Sequence, residues 1–386
     1  MKKRTILHTD LDAFFCAVEI LRKPELAGVP FVVGGSPSGR GVVSSASYPA
    51  REYGIRSAMP TAKALRLCPD LIIQKPQHRI YSEASRQVMD ILHEVAPVVE
   101  QISIDEAFLD ISDDPEPGAI FASRVQKRIK TELGLPTSWG IATNKLVAKI
   151  ATDMGKPEGL VEVKPGEEAD FLAPLPVQVI WGVGPRTREI LEKEGVKTVG
   201  DLAAVGMDKL QQIFGERGAD LARSASGIDN SPVSSESERR SLSCERTFSK
   251  DLTSESQMVR ILQQMSEELG ARLRKEALCA STVRLKIRRP DFSTFSRQIQ
   301  LQQPTDQDRE IFQAAKSLLR RVNQKKEPVR LLGIGLAGLS EPIRQLDLFD
   351  HSWEKEKDLL EALDGIREKF GPDAVKKAAR LRKRKE

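Results

Sequence analysis

The apolar positions of the chain change their period several times. Residues 6–11, ILHTDL, read as a short strand, and Phe14, Phe15, Val18 and Leu21 then recur at helical spacing until Lys23-Pro24 ends the run. Asp12 is the expected N-cap of that helix. PFVVGG and GVVSSAS are two further strands flanking a glycine-rich loop. MPTAKALRLCP is a short amphipathic helix stopped by Pro69, and residues 80–95 form another. After the stretch 101–112 come the helix GAIFASRVQKRIKTELG, the strand TSWGIATN and the helix KLVAKIATDMGKPEG, ended by Gly155 and Pro157. This mixed order predicts an α/β (α+β) domain of about 165 residues.

From residue 179 the pattern is helical except at Gly182-Val183-Gly184, and LQQIFGERGADLARSASGID is a looser helical unit. Residues 230–241, NSPVSSESERRS, have the composition of a linker. Strands then surround a pair of helices: LSCERTF, SQMVRILQQMSEELGARLRKE, STVRLKIRRPDF, STFSRQIQLQ, DREIFQAAKSLLRRVNQ and VRLLGIGLAGLS. Beyond 341 the chain is polar and charged, with a helical pattern at 353–370. The expected division is 1–179, 180–232, a linker at 233–242, then 243–340 and a tail at 341–386.

Composition narrows the class. No run approaches the roughly 18 apolar residues of a membrane span, so no membrane partner is expected. MKKRTILHTDLD opens like a signal peptide, but His8 and Asp10 cut its apolar run short. Cys16, Cys68, Cys244 and Cys279 are scattered without a CxxC pair, which fits reduced thiols in the cytoplasm. The four histidines are also far apart, so any metal here is held by carboxylates. The net charge of +5 is unevenly spread: residues 237–340 hold 20 Lys/Arg against 12 Asp/Glu, while residues 1–179 hold 21 against 23. A basic domain's worth of chain points to a polyanion. The solvated-face reading of the same block stays open.

QISIDEAFLDIS, residues 101–112, carries Asp105 and Glu106 inside an apolar run. A buried carboxylate without a counter-charge is costly. In a continuous strand the two would point to opposite faces. A hairpin with Ile102–Ile104 and Ala107–Leu109 as its arms would put both at an exposed tip. On the first strand, alternation sets His8, Asp10 and Asp12 on one face. With the two hairpins side by side, Asp10, Asp105 and Glu106 meet, and such a cluster repels itself unless hard cations bind. Oxygen-only ligands indicate Mg²⁺, and two ions about 4 Å apart would clamp an in-line phosphoryl transfer. Three unrelated surface acids are the bland alternative.

HTDLDAFFCAVE, GVVSSASYPAREYGIRSAMP, SIDEAFLDIS, GIATNKLVAKIATDMGKPEG and IWGVGPRT together resemble, in this order, the motifs of the Y-family translesion DNA polymerases, DinB type. The likeness is specific over residues 5–230 and weaker to about 340. It implies a right hand: palm and fingers within 1–179 (fingers about 20–80), a helix-hairpin-helix thumb, and a little-finger domain. It implies low-fidelity, template-directed synthesis with dNTPs on primer-template DNA, by a monomer; no further acidic cluster suggests a 3′→5′ exonuclease, so no proofreading is expected. Asp10, Asp105 and Glu106 become the catalytic acids that bind two Mg²⁺, with the Leu11 carbonyl as a further ligand. Phe15 becomes the steric gate beneath C2′ of the sugar. Phe14 packs in the core, and backbone N–H groups at this helix start are free to meet dNTP phosphates. Ser45, Tyr48, Arg51 and Lys156 complete the dNTP contacts, Arg51 through bidentate geometry. Ser47 stands where the family often has an amide. Ser44 and Ala58 form a small lid over the nascent base pair.

Gly182 and Gly184 let the thumb backbone approach DNA phosphates. VRLKIRR alternates Val283, Leu285 and Ile287 with Arg284, Lys286 and Arg288, giving an apolar face and a cationic one suited to a DNA backbone. Arg239, Arg240 and Arg246 are candidates to join it. QLDLF, residues 345–349, resembles the bacterial sliding-clamp pentapeptide, with Gln345, Leu348 and Phe349 as anchors and some 37 residues following it. A non-catalytic repair scaffold that binds DNA and the clamp, and a helix-hairpin-helix nuclease or glycosylase, are the rival readings. The first would be marked by loss of the acids, and the second leaves SYPAR and Phe15 unexplained.

Overall fold

A computed structural model describes residues 4–235, 239–324, 327–342, 352–371 and 374–375. The chain forms two compact units, residues 1–237 and 238–386. Among the described residues no helix is long and apolar enough to cross a membrane.

The first unit is built on a five-stranded sheet. Its strands are β1 (Ile6–Leu11), β5 (Val98–Gln101), β6 (Glu106–Asp110), β7 (Thr137–Ala142) and β8 (Leu160–Glu162), in the order β5-β6-β1-β7-β8. Only β7 and β8 run parallel. The two faces follow from alternation along β1. Leu7 and Leu11 join the core under α1 (Phe14–Arg22), α4 (His78–Val95) and α5 (Gly118–Leu133). Ile6 packs instead with Phe108, Val147 and Ala151 beneath α6 (Lys145–Gly155). His8 and Asp10 share that second face, and His8 Nδ1 lies 2.9 Å from Thr152 Oγ1 of α6. Helix α6 lies against Gly140, where an added Cβ would come within 2.0 Å of the Ala148 carbonyl.

A small sheet, β2 (Phe31–Gly34), β3 (Val43–Ala46) and β4 (Ile72–Gln74), carries α2 (Tyr48–Glu52) and α3 (Thr61–Leu67) on a core of its own. Helices α7 (Glu168–Leu172), α8 (Pro185–Lys193), α9 (Val199–Val205), α10 (Met207–Phe214) and α11 (Glu216–Ala225) close the unit around Ile180, Leu191, Val199, Leu202 and Leu221. A capping box starts α9: Thr198 Oγ1 accepts from Asp201 N, and Asp201 Oδ2 accepts from Thr198 N.

The second unit is a four-stranded antiparallel sheet, ordered β11-β10-β12-β9, with helices on one face. Its elements are β9 (Ser241–Leu252), α12 (Glu255–Lys275), β10 (Cys279–Arg288), β11 (Thr294–Thr305), α13 (Asp308–Val322), β12 (Val329–Ser340) and α14 (Ser352–Phe370). Val283, Leu285 and Ile287 point into its core as alternation predicts. Arg274 of α12 ties α14 down: Nε donates to Asp364 Oδ2 at 2.7 Å, and Nη1 to the Asp306 carbonyl and Asp308 Oδ1.

Three expectations need correction. Asp12 does not cap α1; the N-cap is Ala13, held in the left-handed region at φ 45°. Strand β1 stops at Leu11, so Asp12 does not continue the face of His8 and Asp10. The hairpin at 101–112 is real, but its first arm is β5, residues 98–101, and Ile102 to Asp105 form the turn. Ile102 and Ile104 pack partly against the neighbouring cores, which explains their strand-like apolar pattern.

Candidate active site

Asp10 and Glu106 stand opposite each other in the register of β1 and β6. The Leu11 N–H donates to the Asp105 carbonyl at 2.9 Å, which sets the turn beside the end of β1. Asp10 is 7 % exposed, and burial raises its pKa to about 7, against the pull of Lys156 and with a further push from Glu106. Lys156 Nζ sits 2.7 Å from Asp10 Oδ2 and 2.9 Å from Asp153. Burial works to lower the Lys156 pKa, but the Asp10 carboxylate outweighs it and the net direction is upward. Lys149 Nζ reaches Glu106 Oε1 at 2.6 Å. His8, buried behind the acids, has its pKa held well below 6.5 by burial and then by Lys149 and Lys156.

Asp105 does not complete a tight triad. Its Oδ1 accepts from Ser103 Oγ at 2.6 Å, which relieves repulsion from its acidic neighbours. Among the described residues no three His, Cys, Asp or Glu side chains converge closely enough to grip an ion. The donor chemistry nevertheless fits a hard divalent cation, because Asp10, Asp105 and Glu106 offer only oxygen. A cation would also relieve the buried Asp10.

A cavity of about 230 Å³ opens beside Asp10 and Asp105, lined also by Leu11, Phe15, Ser44, Ser45, Arg51 and Lys156. Phe14 and Phe15 both line the cavity, Phe14 from the core at 2 % exposure and Phe15 only partly buried. The Phe15 ring stacks on Tyr81 at 4.3 Å and 15°. Tyr81 donates its hydroxyl to Glu19 Oε1 at 2.7 Å, and the Glu19 carboxylate, fully buried, is also paired with Arg22. The Phe15 ring therefore rests on a hydrogen-bonded brace. Arg51 lies over the Tyr48 ring at 4.6 Å and donates Nε to the Ala46 carbonyl. Ser47 Oγ accepts from Phe31 N and Ala50 N, so it caps α2 and does not face the cavity. Ala58 has φ 66°, and its N–H donates to the Val43 carbonyl, next to Ser57 and Ser44 of the cavity lining.

A family model described as impB/mucB/samB family matches residues 9–153. Its C-terminal-domain model matches residues 239–348, and a model described as DNA polymerase-iota, thumb domain, matches residues 179–229. A DNA polymerase IV of Dehalococcoides mccartyi is 42% identical over 379 residues, covering 97% of this chain and 97% of its own. The chain belongs to the DinB-type Y-family DNA polymerases. A DNA polymerase IV of Desulfatibacillum aliphaticivorans is 40% identical, covering 98% of this polymerase and 97% of its own length. A solved Y-family DNA polymerase chimera, Dbh-Dpo4(243-245)-Dbh, superposes with a TM-score of 0.80 at 26% identity, covering 87% of this chain and 99% of that one. The polymerase is thus a DNA-directed enzyme of α/β architecture with a thumb and a little-finger domain.

Elsewhere in the polymerase the expected contact residues are partly paired. Gly182, at φ +91°, accepts from Arg217 Nη2 through its carbonyl at 2.6 Å, and Gly184 is open at the N-cap of α8. Arg284 hydrogen-bonds Gln298, and Arg288 donates to Thr294. Lys286 pairs with Glu245 of β9 at 2.8 Å, so the outer face of the sheet is not of a single sign. Arg246 belongs to the opposite side, where it meets Gln264 and Glu268 of α12. Gln345, Leu348 and Phe349 lie outside the described residues. Sequence reasoning missed Lys149, Tyr81, Glu19 and Ser103. The one available signal was the i, i+4 spacing of Lys145 and Lys149 on a helix next to the acids.

Proposed function

We propose that the polymerase carries out low-fidelity translesion synthesis, adding dNMP to a primer 3′-hydroxyl with release of pyrophosphate. Asp10, Asp105, Glu106 and the Leu11 carbonyl hold two Mg²⁺, which supply charge neutralisation at the α-phosphate when bound. Phe15 closes the sugar end of the cavity to a 2′-hydroxyl. Ser45, Tyr48, Arg51, Lys156 and the backbone at Phe14 hold the triphosphate. Ser44 and Ala58, both small, leave room over the nascent pair for a damaged template. Residues 1–179 are read as palm and fingers, 180–232 as thumb, and 243–340 as little finger. Gly182 and Gly184 meet primer-template phosphates, as do Arg284, Lys286 and Arg288. Gln345, Leu348 and Phe349 anchor a bacterial sliding clamp, and the enzyme works as a cytoplasmic monomer.

The observation that carries this reading is the pairing of Asp10 with Glu106 beside a cavity lined by Phe15, Arg51 and Lys156. Primer extension with Mg²⁺ and dNTPs, wild type against Glu106→Ala, tests it. Extension by wild type alone, with DNA binding intact in both, is the expected result. Extension by the variant at the wild-type rate would sink the metal-site assignment, and extension by neither would leave a DNA-binding scaffold.

A further inference from the structure

Two lysines four residues apart share one face of α6 and differ in how their charge is used. Lys145 is saturated: its Nζ reaches both Glu100 oxygens at 2.7 Å and the Pro232 carbonyl at 3.3 Å. Among the described residues Lys149 hydrogen-bonds to Glu106 alone, and an ammonium has three donors. Its second neighbour is the face of Trp181, 5.6 Å from Nζ. Trp181 packs edge-on to Phe108, stands 55 % exposed, and immediately precedes Gly182 of the hairpin. Lys149 therefore stands between a catalytic acid and the loop whose backbone is open to phosphate.

We propose that Lys149 is a positioning residue with two alternating partners. It holds Glu106 in place until a divalent cation takes that carboxylate, and it then pairs with a primer-strand phosphate entering along Trp181. This inference rests on the assignment of Glu106 as a metal ligand. The geometry supports the exchange in three ways. The Lys149 side chain is 15 % exposed and that of Glu106 23 %, so the pair is reachable by solvent and not locked in the core. An ammonium and a divalent cation compete for one carboxylate, so each weakens the other's hold. Trp181 offers a cation-tolerant face beside the path.

Lys149→Met and Lys149→Arg in the full chain test the proposal by two readouts that move in opposite senses. Mn²⁺ titrated into the DNA-free enzyme, with free ion counted by electron paramagnetic resonance, should bind about fivefold tighter in Lys149→Met, because the competing ammonium is gone. The plot of log affinity for primer-template DNA against log salt should lose about 0.9 of its slope in the same variant, one phosphate contact's worth. Lys149→Arg should keep the wild-type slope. Unchanged or weaker Mn²⁺ binding by Lys149→Met overturns the proposal, and so does an unchanged salt slope. If Lys149→Met does not fold, wild-type behaviour is checked against Lys149→Arg and Lys149→Gln, and a Gln variant that keeps the slope overturns it equally. Loss of the underlying reading appears separately, as extension by Glu106→Ala.

Discussion

At the scale of single residues, Asp10 combines burial with acidity. Its folded pKa is raised to about 7 from 3.8, so between those values the folded state binds a proton that the unfolded chain has released. Stability then falls as pH rises from about 4 to about 7, and the loss is complete above that window. Asp10→Asn removes the titrating group. In the DNA-free enzyme, the variant's Tm should gain on wild type as pH goes from 5 to 8; a constant difference across that range would contradict the burial argument. Phe15 makes a second residue-scale case. It lines the cavity, less buried than Phe14 beside it, and the stacked Tyr81 fixed through Glu19 stops its ring from yielding. Phe15→Ala should raise ribonucleotide against deoxyribonucleotide incorporation by at least about tenfold, the low end for one group's worth of pocket discrimination. Steady-state kcat/KM ratios for the two sugars would measure it.

At the scale of elements, the docking of α14 depends on one buried cation. Arg274 is 6 % exposed in its side chain and bridges Asp308 and Asp364. Asp364→Ala leaves Arg274 with Asp308 but removes the 2.7 Å ion pair that joins α12 to α14, so hydrogen exchange over 358–371 should speed up while α12 and α13 stay protected. Equal exchange in both proteins would mean that Leu360, 4 % exposed, is anchor enough. None of this was legible in the sequence. The 353–370 helix showed through its period, but its partner lies 90 residues upstream. Elements with long, clean patterns were readable: β1, α5, β7, α6 and β10 fall where apolar spacing put them. Strands of three or four residues, such as β4, β5 and β8, are too short to display a period. The hairpin turn was displaced because Ile102 and Ile104 are apolar for packing, not for pairing. The candidate acids were legible as residues, but Asp105's turn toward Ser103 was not, since a local side-chain hydrogen bond leaves no spacing signature.

At the scale of the whole molecule, the two units have separate cores, and all strands of the second sheet come from residues 241–340. The second unit's surplus of cations is the origin of the expected DNA affinity, and its pairing pattern ranks the residues. Arg284 and Arg288 have neutral partners, Gln298 and Thr294, so their charge is fully available to a phosphate. Lys286 shares its charge with Glu245 at 2.8 Å, and an added phosphate contact has to compete with that carboxylate. Counter-ion release makes log affinity linear in log salt, with a slope of about 0.9 per phosphate neutralised. Arg284→Gln and Arg288→Gln should each flatten that slope by about one contact, whereas Lys286→Gln should flatten it by less. Glu245→Gln should do the reverse, steepening the dependence by freeing Lys286. The ordering is the decisive part: five primer-template binding series across salt, wild type and the four variants, would give it, and a Lys286 variant with an effect as large as that of Arg284 would show that Glu245 surrenders its partner to DNA.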